Sequence, residues 1–173
     1  MKDLRGKVIW LIGLPNSGKS TIAEALRKSL VKNFPYTILL DGDHLRLALQ
    51  MTDSNFDLQS RTQNGYRVGR IAQMFTNQNL CVIVAANTLF HEVQQWNRLH
   101  LNYFEVYIST DESTRRARDS EKKIYARYDN GELKNILGVD IEPQLPSNPD
   151  LIIENNLNSN IDDHVQMIIN SLV

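Results

Sequence analysis

The sequence predicts an α/β fold, a three-layer sandwich built around a parallel sheet of about five strands. Three observations point there. Short apolar runs of strand length alternate with helical patterns along the chain, the signature of βαβ units with buried parallel strands. The stretch Gly13-Leu-Pro-Asn-Ser-Gly18-Lys19-Ser20 has the G-x-x-x-x-G-K-S spacing of a phosphate-binding loop, and it lies between an apolar run and a helical pattern, as that motif requires. Gly13, Asp41, Ala85 to Thr88 and Ser109 all fall at the carboxyl ends of predicted strands, where open parallel sheets gather their chemistry.

Each element follows from the local pattern. Val8 to Ile12 is the first strand, and its helix runs from about Ser20 to Lys32. Pro35 closes the connection to a second strand, Tyr36 to Leu40, which ends in Asp41-Gly-Asp43. His44 to Gln50 reads as a short helix, Asp53 to Asn55 as a turn, and Leu58 to Gln78 as the longest helical stretch. Cys81 to Ala86 is a third strand, Phe90 to His100 a helix, and Tyr103 to Ile108 a fourth strand leading into a helical segment from Asp111 to Arg118. The basic, polar stretch from Glu121 to Asn135 reads as solvent-facing and mobile, and Gly138 with the prolines at 143, 146 and 149 marks a long loop. Leu151 to Ile153 and a helix from about Ile161 to Leu172 close the fold. No repeat, low-complexity run or internal linker divides residues 1–173, so a single domain is expected.

The totals narrow the function classes. A net charge of -1 over 173 residues argues against a broad basic surface for nucleic acid, so phosphate binding has to be local. Cys81 is the one cysteine and sits in an apolar run, which reads as core packing and suits a reducing compartment. The N-terminus lacks the apolar stretch of a signal peptide, and no apolar run approaches about 18 residues. A cytoplasmic protein without a membrane partner is therefore expected. His100 and His164 have no metal-like neighbours at useful spacing and read as surface residues.

The loop carries the chemistry. Its glycines let the backbone approach a polyphosphate, its successive N–H groups form an anion nest, and the helix that follows adds the positive end of its dipole. Gly13, Asn16, Ser17, Gly18, Lys19, Ser20 and Thr21 are the expected contacts of a nucleoside triphosphate, which the resemblance drawn below implies is ATP, with Lys19 reaching the β- and γ-phosphates and the Ser20 hydroxyl on Mg2+. A phosphate loop alone does not separate kinases from GTPase switches, ATPase motors or regulatory nucleotide binders. Neither an Asn-Lys-x-Asp segment nor an Asp-x-x-Gly at a strand end is present, which disfavours a guanine-selective switch. Asp41 and Asp43 instead stand beside a strand end, where paired carboxylates could hold Mg2+ through water and accept the proton of an attacking hydroxyl.

Taken together, Gly13 to Ser20, Leu40-Asp-Gly-Asp43, Arg46, Phe56, Arg61, Asn64 and Arg67-Val-Gly69 resemble the adenylyl-sulfate kinase family. The resemblance continues through Phe104-Glu-Val106, Arg118-Asp119, Gly131-Glu-Leu133, Asn135 and Gly138-Val-Asp140, nearly the whole chain. It implies a P-loop kinase that transfers the γ-phosphoryl of ATP to the ribose 3′-hydroxyl of a small nucleotide anhydride, with Mg2+. By the same resemblance, Lys19, Asp41 and Asp43 are catalytic, with Asp41 serving the metal through water. Asp43, Arg46, Phe56, Arg61, Asn64, Asn87 and Thr88 hold the acceptor, Phe56 stacking on its base and the arginines gripping its anionic groups. Arg118 lies against the ATP adenine, and Lys122, Lys123 and Arg127 belong to a lid that closes over the phosphates and excludes water. Members of the family are often dimers, which leaves a homodimer open.

The chain departs from that family's pattern in four places. His44 replaces an asparagine, Tyr66 replaces the first of two arginines, and Ala86-Asn87-Thr88-Leu89-Phe90-His91 replaces Phe-Ile-Ser-Pro-x-Arg. In the lid, Lys122-Lys-Ile-Tyr-Ala-Arg127 replaces Lys-Gly-Leu-Tyr-Lys-Lys. The missing arginines at 66 and 91 imply less positive charge around the acceptor, and Asn87 and Thr88 add donors and acceptors. One branch of the family phosphorylates cytidine diphosphoramidate, and the chain resembles that branch more than it resembles the kinases of adenylyl sulfate. Some members carry a phosphoserine at the position of Thr88; direct in-line transfer needs no such intermediate, so Thr88 is given no covalent role. A non-catalytic ATP-binding regulator and a kinase of a sugar or shikimate-like alcohol are the remaining alternatives, the latter disfavoured by Phe56 and the nucleotide-like acceptor residues.

Overall fold

The computed structural model describes residues 3–51, 56–120 and 123–172. In chain order the elements are β1 (Lys7–Ile12), α1 (Lys19–Leu30), β2 (Thr37–Asp41), α2 (Gly42–Ala48), α3 (Leu58–Thr76) and β3 (Cys81–Ala86). There follow α4 (His91–His100), β4 (Asn102–Ser109), α5 (Glu112–Ala117), α6 (Ile124–Asp129), β5 (Leu151–Glu154) and α7 (Ile161–Ser171). The predicted turn at Asp53 to Asn55 lies outside the described residues. The five strands form one sheet in the order β2-β3-β1-β4-β5, and every pairing is parallel.

Strand periodicity sorts the core into two layers. Along β1, Ile9 and Leu11 face the side covered by α1 and α7, where they pack with Ile22, Leu26, Val165 and Ile168. Val8, Trp10 and Ile12 face the opposite side and pack with Val68 and Ala72 of α3 and Val93 of α4. Residues Val8 to Ile12 are fully buried, as a central parallel strand covered on both faces requires. A buried indole needs a partner for its N–H, and Trp10 Nε1 donates to Thr88 Oγ1 at 2.9 Å, pinning the segment that leaves β3. Both sheet neighbours of β1 come from later in the chain, so the loops leaving β1, β2 and β3 converge at one edge of the sheet, the position in which α/β sheets hold ligands. Among the described residues no helix is long and apolar enough to cross a membrane.

Two expectations are corrected. The stretch expected to face solvent contains a helix, α6, whose Tyr125 is buried. Its first amides are taken up from a distance: the Asp119 carboxylate accepts from the N–H of Ile124 at 2.8 Å and of Tyr125 at 2.7 Å. Arg115 donates to the Tyr125 hydroxyl from beneath. His164 is not a surface residue either, since it shares the buried face of α7 with Val165 and Ile168, and burial lowers its pKa. His100 is exposed at the end of α4 and stacks on Trp96 with ring centroids 4.4 Å apart.

The close approach of α3 to α4 depends on Gly65, where a Cβ would stand 2.9 and 3.0 Å from the two γ-carbons of buried Val93. Replacing glycine by alanine in an exposed helix gains about 1 kcal/mol, but forcing atoms into a packed core costs about 1–3 kcal/mol. The packing effect wins here. Gly65→Ala is expected to lower the urea midpoint of unfolding, and a raised midpoint would contradict this packing.

Candidate active site

The phosphate loop leaves β1 and is shaped by two residues in the left-handed region, Asn16 (φ 59°) and Gly18 (φ 89°). Gly18 is doubly constrained, because a Cβ there would also meet Asn155 Nδ2 at 2.4 Å. That amide donates to the Ser17 carbonyl at 2.8 Å, and Thr110 Oγ1 donates to the same oxygen at 3.2 Å. Asn155 follows β5, so the loop is braced by the far end of the sheet. Lys19 is buried and folds back over the loop, its Nζ donating to Leu14 O at 2.7 Å and Ser17 Oγ at 3.2 Å. Asn16 Nδ2 donates to Asp119 Oδ1 at 2.9 Å, so its side chain ties the loop to the seat of α6.

Asp41 occupies the end of β2 and caps α2. Its Oδ1 accepts from the amides of Asp43 at 2.9 Å and His44 at 3.4 Å. Its Oδ2 accepts from Ser20 Oγ at 2.6 Å. One carboxylate thus joins the first turn of α1 to the start of α2. Asp43, by contrast, is exposed and pairs with Arg46 at 3.5 Å. Ser20 and Asp41 provide hard oxygen donors of the kind that suits Mg2+, which fits the expectation for this corner.

Beyond α2 lies a pocket lined by all of Arg46, Phe56, Arg61, Asn64, Asn87 and Thr88. Gly42 and Ala86 also line it, as do Ser60 and Met51, which sequence reasoning did not single out. Phe56 has two guanidinium groups within cation–π distance, Arg46 at 4.8 Å and Arg61 at 5.4 Å from its ring centroid, and its backbone has φ 51°. Arg61 is fixed by its own donors: Nε bonds Phe56 O and Nη2 bonds Asn135 O, both at 2.6 Å. Burial first, and then the nearby Arg46, brings the Arg61 guanidinium down to about 10, so it remains a cation at neutral pH.

The pocket opens into a larger cleft that reaches from the loop (Asn16, Gly18, Lys19, Ser20, Thr21) past Asp41 and Asp43 to Arg118, Arg127 and the 133–136 segment. Arg118 donates to the carbonyls of Asn155 at 3.0 Å and Asn156 at 3.2 Å. Arg127 faces the cleft, with Nε 3.5 Å from Glu132, whereas Lys123 is exposed and does not line it. Lys122 lies outside the described residues. Lys134 lines the cleft and was missed, because nothing in its neighbourhood distinguishes it from a solvated lysine. Asn155 and Arg115 were also missed; Asn155 follows a strand end, a signal that would have found it.

Two of the four departures bear on other parts of the molecule than expected. The Tyr66 hydroxyl donates to Glu92 at 3.1 Å and its ring packs edge-on against Trp96, which directs it toward α4 and away from the pocket. His91 turns to the following loop, its amide bonding Gln144 Oε1 at 2.7 Å and its Nε2 lying 2.9 Å from Leu145 O. Neither lines the pocket. The difference inside the pocket rests on Ala86, Asn87 and Thr88.

Asp119 links the loop to the lid. Burial would raise its pKa, but the bonds from Asn16, Ile124 and Tyr125 outweigh this and hold it below the ordinary carboxylate value. Asp119→Ala removes that cap, worth about 1–2 kcal/mol, so the amides of Ile124 and Tyr125 should exchange with solvent about 5- to 30-fold faster. Unchanged hydrogen exchange in α6 would contradict the anchoring role.

Comparison with known proteins agrees with this geometry. Residues 5–154 match the family described as adenylylsulphate kinase. A cytidine diphosphoramidate kinase of Campylobacter jejuni is 37% identical over 166 residues, covering 95% of each chain. An adenylyl-sulfate kinase of Clostridium acetobutylicum is 38% identical over 156 residues, 89% of this chain and 77% of that one. The structure of the Mycobacterium tuberculosis APS kinase in complex with AMPPNP and APS superposes with a TM-score of 0.87 at 30% identity, covering 97% of this chain and 98% of that one. With the phosphate loop, the strand-end carboxylate and the arginine-walled pocket lining connected cavities, the chain belongs to the adenylylsulphate kinase family and is an ATP-binding kinase, a phosphotransferase with a hydroxyl acceptor.

Proposed function

We propose that the protein transfers the γ-phosphoryl of ATP to the ribose 3′-hydroxyl of cytidine diphosphoramidate. The observation that carries the reading is the continuity of the cleft: Lys19, Asp41, Arg46, Phe56, Arg61 and Asn87 all line it, so a donor phosphate and a nucleotide acceptor can meet at Asp41. The similarity to the Campylobacter jejuni cytidine diphosphoramidate kinase over 95% of each chain supports this acceptor.

In this mechanism the loop amides and Lys19 hold the triphosphate, Lys19 exchanging its internal bonds for phosphate oxygens. Ser20 and Asp41, the latter through water, would hold Mg2+, which when bound neutralises charge on the β- and γ-phosphates. Phe56 stacks on the acceptor base while Arg46 and Arg61 hold its anionic groups, which orients the hydroxyl toward the γ-phosphorus. Asp41 accepts the proton of that hydroxyl as the new P–O bond forms and the bond to the β-phosphate oxygen breaks. Arg127 and α6 close the side of the cleft and keep water from competing.

Adenylyl sulfate is the second reading, favoured by the 38% identity to the Clostridium acetobutylicum enzyme and by the fold match to a structure in complex with APS. A side-by-side transfer assay separates the two. The expected result is a higher kcat/KM for cytidine diphosphoramidate, together with a loss of about 100-fold or more in Lys19→Ala that retains its fold. A higher kcat/KM for adenylyl sulfate would replace the first reading with the second, and normal turnover in Lys19→Ala would overturn both.

A further inference from the structure

Asn87 is the first residue after β3 and lines the pocket with Arg46 and Arg61. Its Oδ1 is buried and makes no hydrogen bond among the described residues. A buried amide oxygen left without a donor is unfavourable, and its persistence in a cavity points to a ligand that supplies the donor. The neighbours do not supply one. Thr88 Oγ1 lies against the Trp10 N–H and Arg61 donates to the carbonyls of Phe56 and Asn135, and no donor of a described residue reaches Asn87 Oδ1. The pocket therefore combines two guanidinium groups, which favour oxygens, with one buried, unpaired carbonyl oxygen, which repels them.

That combination matches a terminal group carrying both kinds of atom. A phosphoramidate presents anionic oxygens and an N–H donor on one phosphorus, whereas a sulfate offers only acceptors. Resting on the acceptor class proposed above, we infer that Asn87 is a specificity-determining residue: its Oδ1 accepts a hydrogen bond from the terminal amino group of the acceptor, while Arg46 and Arg61 take the adjoining oxygens. A terminal oxyanion in the same place sets oxygen against oxygen. The opposite orientation of the Asn87 amide would present Nδ2–H and favour an oxyanion, so the two orientations predict opposite preferences.

The test uses the full chain with ATP and a pair of acceptors that differ only at the terminal group, cytidine diphosphoramidate and CDP. The wild-type protein should prefer the amidate in kcat/KM by about tenfold, the worth of one well-placed hydrogen bond. Asn87→Ile, which removes the amide, should bring the ratio to within about twofold of unity, while Asn87→Asp, which still accepts, should keep the preference for the amidate. Thermal melts of both variants establish that each is folded. Wild-type preference for CDP, or an unchanged ratio in folded Asn87→Ile, overturns the inference alone. Transfer to neither cytidine nucleotide overturns the acceptor class and the inference with it.

Discussion

The arrangement of the cleft turns on the hydrogen bonds of one carboxylate. Asp41 is the last residue of β2, and its two oxygens face different elements: Oδ1 closes the first turn of α2, and Oδ2 accepts a hydrogen bond from the hydroxyl of Ser20 in the first turn of α1. In the proposed reaction the donor side is built on α1 and the acceptor side on α2 and the residues beyond it, so this side chain fixes their spacing. Parallel pairing sets its depth, since Asp41 lies in register with Ala85 of β3, two residues before Asn87. The sheet thus brings the phosphate loop, the carboxylate and the acceptor wall to a common edge.

A second set of bonds connects the lid to both sides. Asp119 joins Asn16 of the loop to the first turn of α6, and Arg61 reaches from α3 to the Asn135 carbonyl. Asp140 holds that last segment by accepting from the amides of Asn135 and Ile136. Loop, acceptor wall and lid consequently share side chains. In such a layout a nucleotide that rearranges Lys19 or Asn16 also acts on the groups that seat α6, and this offers a physical route by which nucleotide binding could bias closure.

The sheet was legible because buried parallel strands are short apolar runs; Cys81–Ala86 was found to the residue, and β1, β2 and β4 differ only at their ends. The donor loop was legible because its chemistry is local in sequence. Helix α6 was not, because what holds it lies outside it, in Asp119 and in Arg115 against the Tyr125 hydroxyl. Directions of side chains were also hidden. The family pattern puts arginines near the acceptor at positions 66 and 91, yet here the side chains of Tyr66 and His91 bond to Glu92 and to the loop before β5. Asn87 was singled out in the sequence and lines the pocket, but the isolation of its amide oxygen depends on how its neighbours are placed and cannot be read from the chain.

The central claim is that the two halves of the cleft bring the γ-phosphate of ATP to a ribose 3′-hydroxyl beside Asp41. The most direct measurement is the position of the new phosphate in the product formed from ATP and cytidine diphosphoramidate, read by phosphorus–proton coupling in NMR. The account predicts a new phosphorus resonance coupled to the ribose H3′. A phosphate at another position of the acceptor, or ADP and inorganic phosphate without a phosphorylated nucleotide, would contradict it.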